Sequence, residues 1–158
     1  MPQEILGVNI LAVQEKLLNP GHLIEYMKKT AAVSYDYDNV DPRKWYPMEM
    51  FTLLTDYIDK KHSSIVLRNI GTEIIPQLVE LGIFPRMDPK AFILDLSKSY
   101  HQANRGARIG DWKVLKEEED QGNCRVTLEN TTVHNCYLEE GVLLGGLRAL
   151  KAQSPRVE

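Results

Sequence analysis

The sequence predicts an α+β domain, and three observations carry that prediction. Trp112-Lys-Val-Leu-Lys116 and Cys124-Arg-Val-Thr-Leu128 alternate apolar with polar residues, the period of paired antiparallel strands. Beyond them Tyr137, Leu138, Val142, Leu144, Leu147 and Leu150 recur at helical spacing. Before them, residues 5–104 carry several apolar stripes of helical period divided by breakers. The expected architecture is a single domain over 1–158, with about five helices around a short hairpin. Its helical part covers 5–104. The hairpin and a last helix over 136–150, docked across that hairpin, fill 110–151.

Taken in order, Ile5, Val8, Leu11, Ala12 and Leu17 mark a first helix that stops at Asn19-Pro20-Gly21. His22 to Lys29 makes a second, short one. Tyr35-Asp-Tyr-Asp-Asn-Val-Asp-Pro42 is acidic and turn-rich, but lacks the glycine and glutamate of a calcium-binding EF-hand loop. A helix follows from Met48 to Lys61, with Phe51, Leu54 and Ile58 on its buried face. Another runs from Ser64 to Leu81 and must kink or split at Pro76. Asp88-Pro89 is an N-cap followed by proline at the first helical position. That helix carries Phe92, Ile93, Leu96, Tyr100 and Ala103, and Asn104-Arg-Gly106 ends it. Glu117 to Asn123 reads as the loop of the hairpin, and Asn130 to Asn135 as a turn. In the last helix Gly141 and Gly145 lie one turn apart, and Gly146 follows. Each costs roughly 1 kcal/mol against alanine, so another backbone is expected to approach that face closely.

Composition narrows the function. A chain of 158 residues can bury a core without disulfides or a structural metal. A net charge of −3 gives no basic field for nucleic acid. No apolar run approaches the ~20 residues of a membrane span, and Met1-Pro-Gln-Glu4 lacks the basic start of a signal peptide. With Cys124 and Cys136 as the two cysteines, a cytoplasmic setting is expected.

Four stretches carry a family resemblance: Gly7-Val-Asn-Ile10, Arg68-Asn-Ile-Gly71, Tyr100-His-Gln-Ala-Asn-Arg-Gly106 and Asn130-Thr-Thr-Val-His-Asn-Cys-Tyr-Leu-Glu-Glu-Gly141. With the order helices, hairpin, glycine-bearing helix, the chain resembles the haem-nitric oxide/oxygen binding (H-NOX) domains. It is similar also to their relatives, the 4-vinyl reductase-type ligand-binding domains and the TRAPP vesicle-tethering subunits. The resemblance spans roughly Gly7 to Leu150 and implies a non-catalytic ligand-binding, sensory or signalling domain. It implies haem only where a Tyr-x-Ser-x-Arg run grips the propionates. The matching run here, Leu128-Glu-Asn-Thr-Thr132, has neither phenol nor cation, so no cofactor is expected. The relatives add strands after the glycine-bearing helix, and their absence here points to a homodimer.

No residue pattern supports catalysis. Ser97 and Ser99 lack a Gly-x-Ser-x-Gly context, and Glu117–Asp120 and Glu139-Glu140 read as solvated carboxylate runs. His101 stands where the resemblance places a haem ligand, but its spacing sets it off the Leu96, Tyr100 and Ala103 stripe. His134, Cys124 and Cys136 offer three zinc-type ligands without the usual spacing, and buried free cysteines are the simpler expectation. The expected ligand site is an apolar pocket formed by Trp45, Phe51, Phe92, Leu96, Tyr100 and Tyr137, suited to a small apolar or lipid-like molecule. Gly141, Leu144, Gly145 and Leu147 are the expected dimer interface. The alternative function is a structural or scaffolding homodimer.

Overall fold

Ile5 departs from the helix that its spacing suggests and, with Leu6, forms part of a strand. In the computed structural model, which describes residues 1–17, 20–30 and 34–158, β1 (Glu4–Leu6) is the centre of a three-stranded antiparallel sheet. β2 (Trp45–Pro47) and β3 (Asn104–Arg105) flank it, with Ile5 opposite Tyr46 on one side and Asn104 on the other. Strands of two or three residues show no period, so alternation could not reveal them. Pro47 is tolerated because β2 is an edge strand. The result is an α+β fold with two small antiparallel sheets.

α1 (Gly7–Gln14) follows directly, with Val8, Ile10, Ala12 and Val13 all buried. A helix apolar on every side belongs inside the core, and that blurs any stripe. The break expected at Asn19-Pro20-Gly21 lies partly outside the described residues. Pro20 itself opens α2 (Pro20–Thr30), where a first-turn proline loses no hydrogen bond. α3 (Met48–Lys61) has the bounds expected of it. The stretch from Ser64 divides into α4 (Ser64–Gly71) and α5 (Ile74–Glu80). The joint precedes Pro76, which therefore sits in the first turn of α5, where its missing N–H is harmless. Asp88 caps α6 (Pro89–Leu94) by accepting from the amides of Lys90 and Ala91. A break at Asp95, invisible in the apolar stripe, separates α6 from α7 (Leu96–Ala103).

The hairpin is longer than its alternating runs. β4 (Trp112–Asp120) pairs with β5 (Asn123–Asn130), and Gln121-Gly122 closes them with φ of 48° and 80°. Two positive φ values make a type I′ turn, which matches the strands' twist. The acidic residues expected as loop thus continue the strand. A bulge at Leu115 shifts the register between Val114 and Lys116, so residues three apart share a face. Trp112, Val114, Glu117 and Glu119 lie on one side with Leu128, Val126 and Cys124. Lys113, Lys116, Glu118 and Asp120 lie on the other with Glu129, Thr127, Arg125 and Asn123.

α8 (Cys136–Ala149) is capped by Asn135, whose side chain accepts from the Tyr137 amide. It does not lie across the hairpin; it packs against α4 and α5. A Cβ on Gly141 would fall 1.9 Å from the Arg68 carbonyl oxygen, and one on Gly145 would fall 2.2 Å from that of Thr72. Gly71 meets the backbone of Leu138 and Gly141 from the other side. The close approach anticipated from the glycines is there, but its partner is α4. Two helices bearing glycine at the crossing can touch backbone to backbone, which a strand's projecting side chains would prevent. The core they close includes Phe51, Leu54, Ile58, Leu67, Phe92 and Leu138, all fully buried. Among the described residues no helix is long and apolar enough to cross a membrane.

Candidate functional site

The turn between β5 and α8 carries polar side chains into the protein. Its backbone first ties the two feet of the hairpin together. The Thr131 amide donates to the Asp111 carbonyl (3.0 Å) and the Val133 amide to that of Ile109 (3.2 Å). Each foot is then fastened to a helix. Tyr100 of α7 donates its hydroxyl to the Ile109 carbonyl at 2.7 Å. Thr132 donates its hydroxyl to Glu139 Oε1 of α8 at 2.9 Å.

His134 stands between these anchors. Asn104 donates its Nδ2 to the Tyr100 carbonyl (2.9 Å), which turns its Oδ1 toward His134 Nε2, also at 2.9 Å. The acceptor fixes the tautomer: Nε2 carries the proton and Nδ1 keeps a lone pair. Nδ1 is buried with no hydrogen-bond partner. The rings of Phe51 and Tyr100 meet the imidazole edge-on, with centroids 5.0 and 5.7 Å away. Burial pushes the His134 pKa down to about 4, so the ring is neutral at physiological pH. Burial pushes Glu139 the other way, up to about 7, against a smaller opposing effect of the Thr132 hydrogen bond. The Tyr100 phenol is also raised, by burial first and then by the Glu139 charge. Chemically the cluster offers an unshared imidazole lone pair, a carboxyl that can hold or release a proton near neutrality, and two aromatic walls.

The six residues expected to line one pocket do not gather. Phe51 and Tyr100 come together at His134, and Leu96 lies one turn before Tyr100 on the buried side of α7. Phe92 meets Phe84 edge-on, with centroids 5.8 Å apart, and packs against Gly146. Trp45 belongs to β2, where the Arg105 guanidinium stacks over its ring at 4.2 Å. Tyr137 is 43% exposed, because the first turn of α8 presents it to solvent. A cleft of about 350 Å³ lies elsewhere, among Leu6, Arg43, Leu81, Gly82, Ile83 and Gln102. The expected interface changes in the same way. Gly141 and Gly145 are used within the chain against α4, leaving Leu144 and Leu147 half-buried on α8.

The cysteines are free and exposed rather than buried. Cys124 groups with Glu117 and Glu119, while His134 bonds Asn104. Lys90 already occupies that carboxylate pair, its ammonium 2.6 Å from Glu117 and 2.5 Å from Glu119. The two hydrogen bonds hold Lys90 above its ordinary pKa and hold Glu119 below its own. Glu139, read as solvated, is buried. Its spacing held the signal: Glu139, Leu143, Gly146 and Leu150 form one helical stripe.

His101 is exposed, with Nε2 3.5 Å from Asp111 Oδ1. Asp111 is held low, chiefly by the Ser97 hydroxyl. A haem would therefore find an exposed imidazole paired to a carboxylate, and no propionate grip. Titration with hemin is expected to give no saturable Soret band at one equivalent. Such a band, abolished by His101→Ala, would contradict this.

No family model matches the chain, no curated protein is significantly similar to it in sequence, and no solved structure significantly matches its fold.

Proposed function

We propose that this chain is a non-catalytic interaction module that acts as a homodimer, with the β4–β5 hairpin as its contact element. The observation that carries this is the hairpin's exposure: every β4 residue after Trp112 faces solvent. A two-stranded ribbon is marginal alone, and an open edge invites another strand. Val114 and Leu115 add exposed apolar surface at the bulge. The element order supports the likeness to the H-NOX, 4-vinyl reductase-type and TRAPP group, and the scaffolding role of the TRAPP subunits suits this reading best. Exposed free thiols at Cys124 and Cys136 suit a reducing, cytoplasmic setting. Sedimentation equilibrium across micromolar concentrations is expected to show a dimer. An 18.1 kDa species throughout would contradict it.

His134 favours a second reading, a sensory module that binds a small apolar or lipid-like molecule. Its buried, unpartnered Nδ1 faces no protein donor, and two of the expected ligand residues, Phe51 and Tyr100, wall its ring. Mass spectrometry of the native and denatured protein separates the readings. A co-purifying molecule lost on denaturation supports the sensor, and identical masses count against it.

A further inference from the structure

We infer that the partner of the hairpin is a second copy of this chain, joined edge to edge through β4 in antiparallel register about a two-fold axis at Glu117. The inference deepens the interaction-module reading and rests on it. Among the described residues no strand pairs with the outer edge of β4. The two-residue turn sets which groups are free there. Asp120 and Asn123 flank it and exchange both hydrogen bonds. By alternation Glu118 and Lys116 also direct their peptide groups toward β5, and Glu117 and Glu119 direct theirs outward. A two-fold axis at Glu117 creates a hydrogen-bonded pair and one at Lys116 or Glu118 a non-hydrogen-bonded pair, so the backbone admits all three.

Charge selects Glu117 among them, because an axis at Lys116 or Glu118 would set two like side chains directly against each other. Lys113 and Lys116 occupy the half of β4 next to the body of the protein, and Glu118 and Asp120 the half next to the turn. Because of the bulge all four project from one face. Counting the bulge as a single position, the axis at Glu117 sets Lys116 beside Glu118 of the other copy, and Lys113 beside Asp120. All four ion pairs of the dimer are thus of opposite sign. Within one chain Lys116 already reaches Glu118 at 2.7 Å, which shows that the two side chains span such a gap. The two Glu117 carboxylates meet on the opposite face, where Lys90 of each chain neutralises its own. Charges on an edge ordinarily discourage pairing. Segregated by sign, they discourage parallel pairing, which would lay acid beside acid, and admit the antiparallel one. The outer edge of β5 carries only Arg125 and Glu129, a weaker code.

Two charge-reversed proteins test this. Lys113→Glu/Lys116→Glu makes the β4 side chains on that face all acidic, and Glu118→Lys/Asp120→Lys makes them all basic. Each alone is expected to associate about tenfold or more weakly than the natural chain, since cross-strand like charges repel. An equimolar mixture is expected to recover a one-to-one dimer, which also proves both folded. Leu115→Asp, at an exposed position, is expected to weaken association without touching the core. Undiminished dimers in all three variants would overturn the β4 interface while leaving the interaction module standing on another surface. Folded variants that fail to recover on mixing would overturn it too. A natural chain that is monomeric at every concentration would remove both.

Discussion

Gly141→Ala is expected to lower the stability of the domain by about 2 kcal/mol, although alanine is the better helix former. The added methyl would need the space of the Arg68 carbonyl, 1.9 Å from the ideal Cβ position. That carbonyl belongs to a helical backbone and cannot rotate away as a side-chain tip could. Overpacking typically costs ~1–3 kcal/mol and occasionally more, whereas helix propensity returns only about 1 kcal/mol. For a chain of this size the net loss corresponds to roughly 4–8 °C in thermal midpoint. Gly145→Leu, aimed at Thr72 across the same crossing, is expected to do at least as much damage. A raised denaturation midpoint in either variant would show that α4 and α8 are not in backbone contact.

Glu139→Gln is expected to stabilise the protein, and increasingly so as pH rises. In the folded chain the carboxyl titrates near 7, against an ordinary 4.5. The native state therefore holds a proton that the unfolded state has released, and stability falls as pH climbs through that window. The full effect is roughly 3 kcal/mol, present above pH 7 and absent below about 4.5. Glutamine keeps an acceptor for Thr132 but cannot ionise, so its advantage should grow across the window and then level off. His134 acts with the opposite sign. Its folded pKa near 4, against an ordinary 6.5, makes the unfolded state the better proton binder, so acid costs stability between those values. In the natural chain the two slopes offset each other between about pH 4.5 and 6.5. The glutamine variant should unmask the histidine and lose stability on acidification. Chemical denaturation at half-unit steps of pH reads both slopes. A difference that stays constant with pH would show that Glu139 titrates like a surface carboxylate.

The parts of the fold that could be read in advance are those with a local physical signature. The hairpin's alternation, the Asp88-Pro89 cap, the bounds of α3 and the backbone approach at Gly141 and Gly145 all belong to this class. The three-stranded sheet had none, because β1, β2 and β3 are too short to show a period and pair only through residues distant in sequence. The same insertion redistributed the expected pocket. With Trp45 in an edge strand and Phe92 packed under α8, the aromatic residues could not share one cavity. Glu117–Asp120 looked like a loop because four consecutive acids in one strand repel, and Lys90, far off in sequence, relieves Glu117 and Glu119. His134 is different again. Its half-buried setting is made by Asn104, Phe51 and Tyr100, each supplied by a separate element.

Hydrogen exchange measured as a function of protein concentration tests the hairpin's role most directly. As the chain associates, the amides of Glu117 and Glu119, on the outer edge of β4, should slow strongly. The amides of α4 and α8, already protected within one chain, should change little. Exchange along β4 that stays fast at every concentration, while another surface becomes protected, would contradict the hairpin as the contact element.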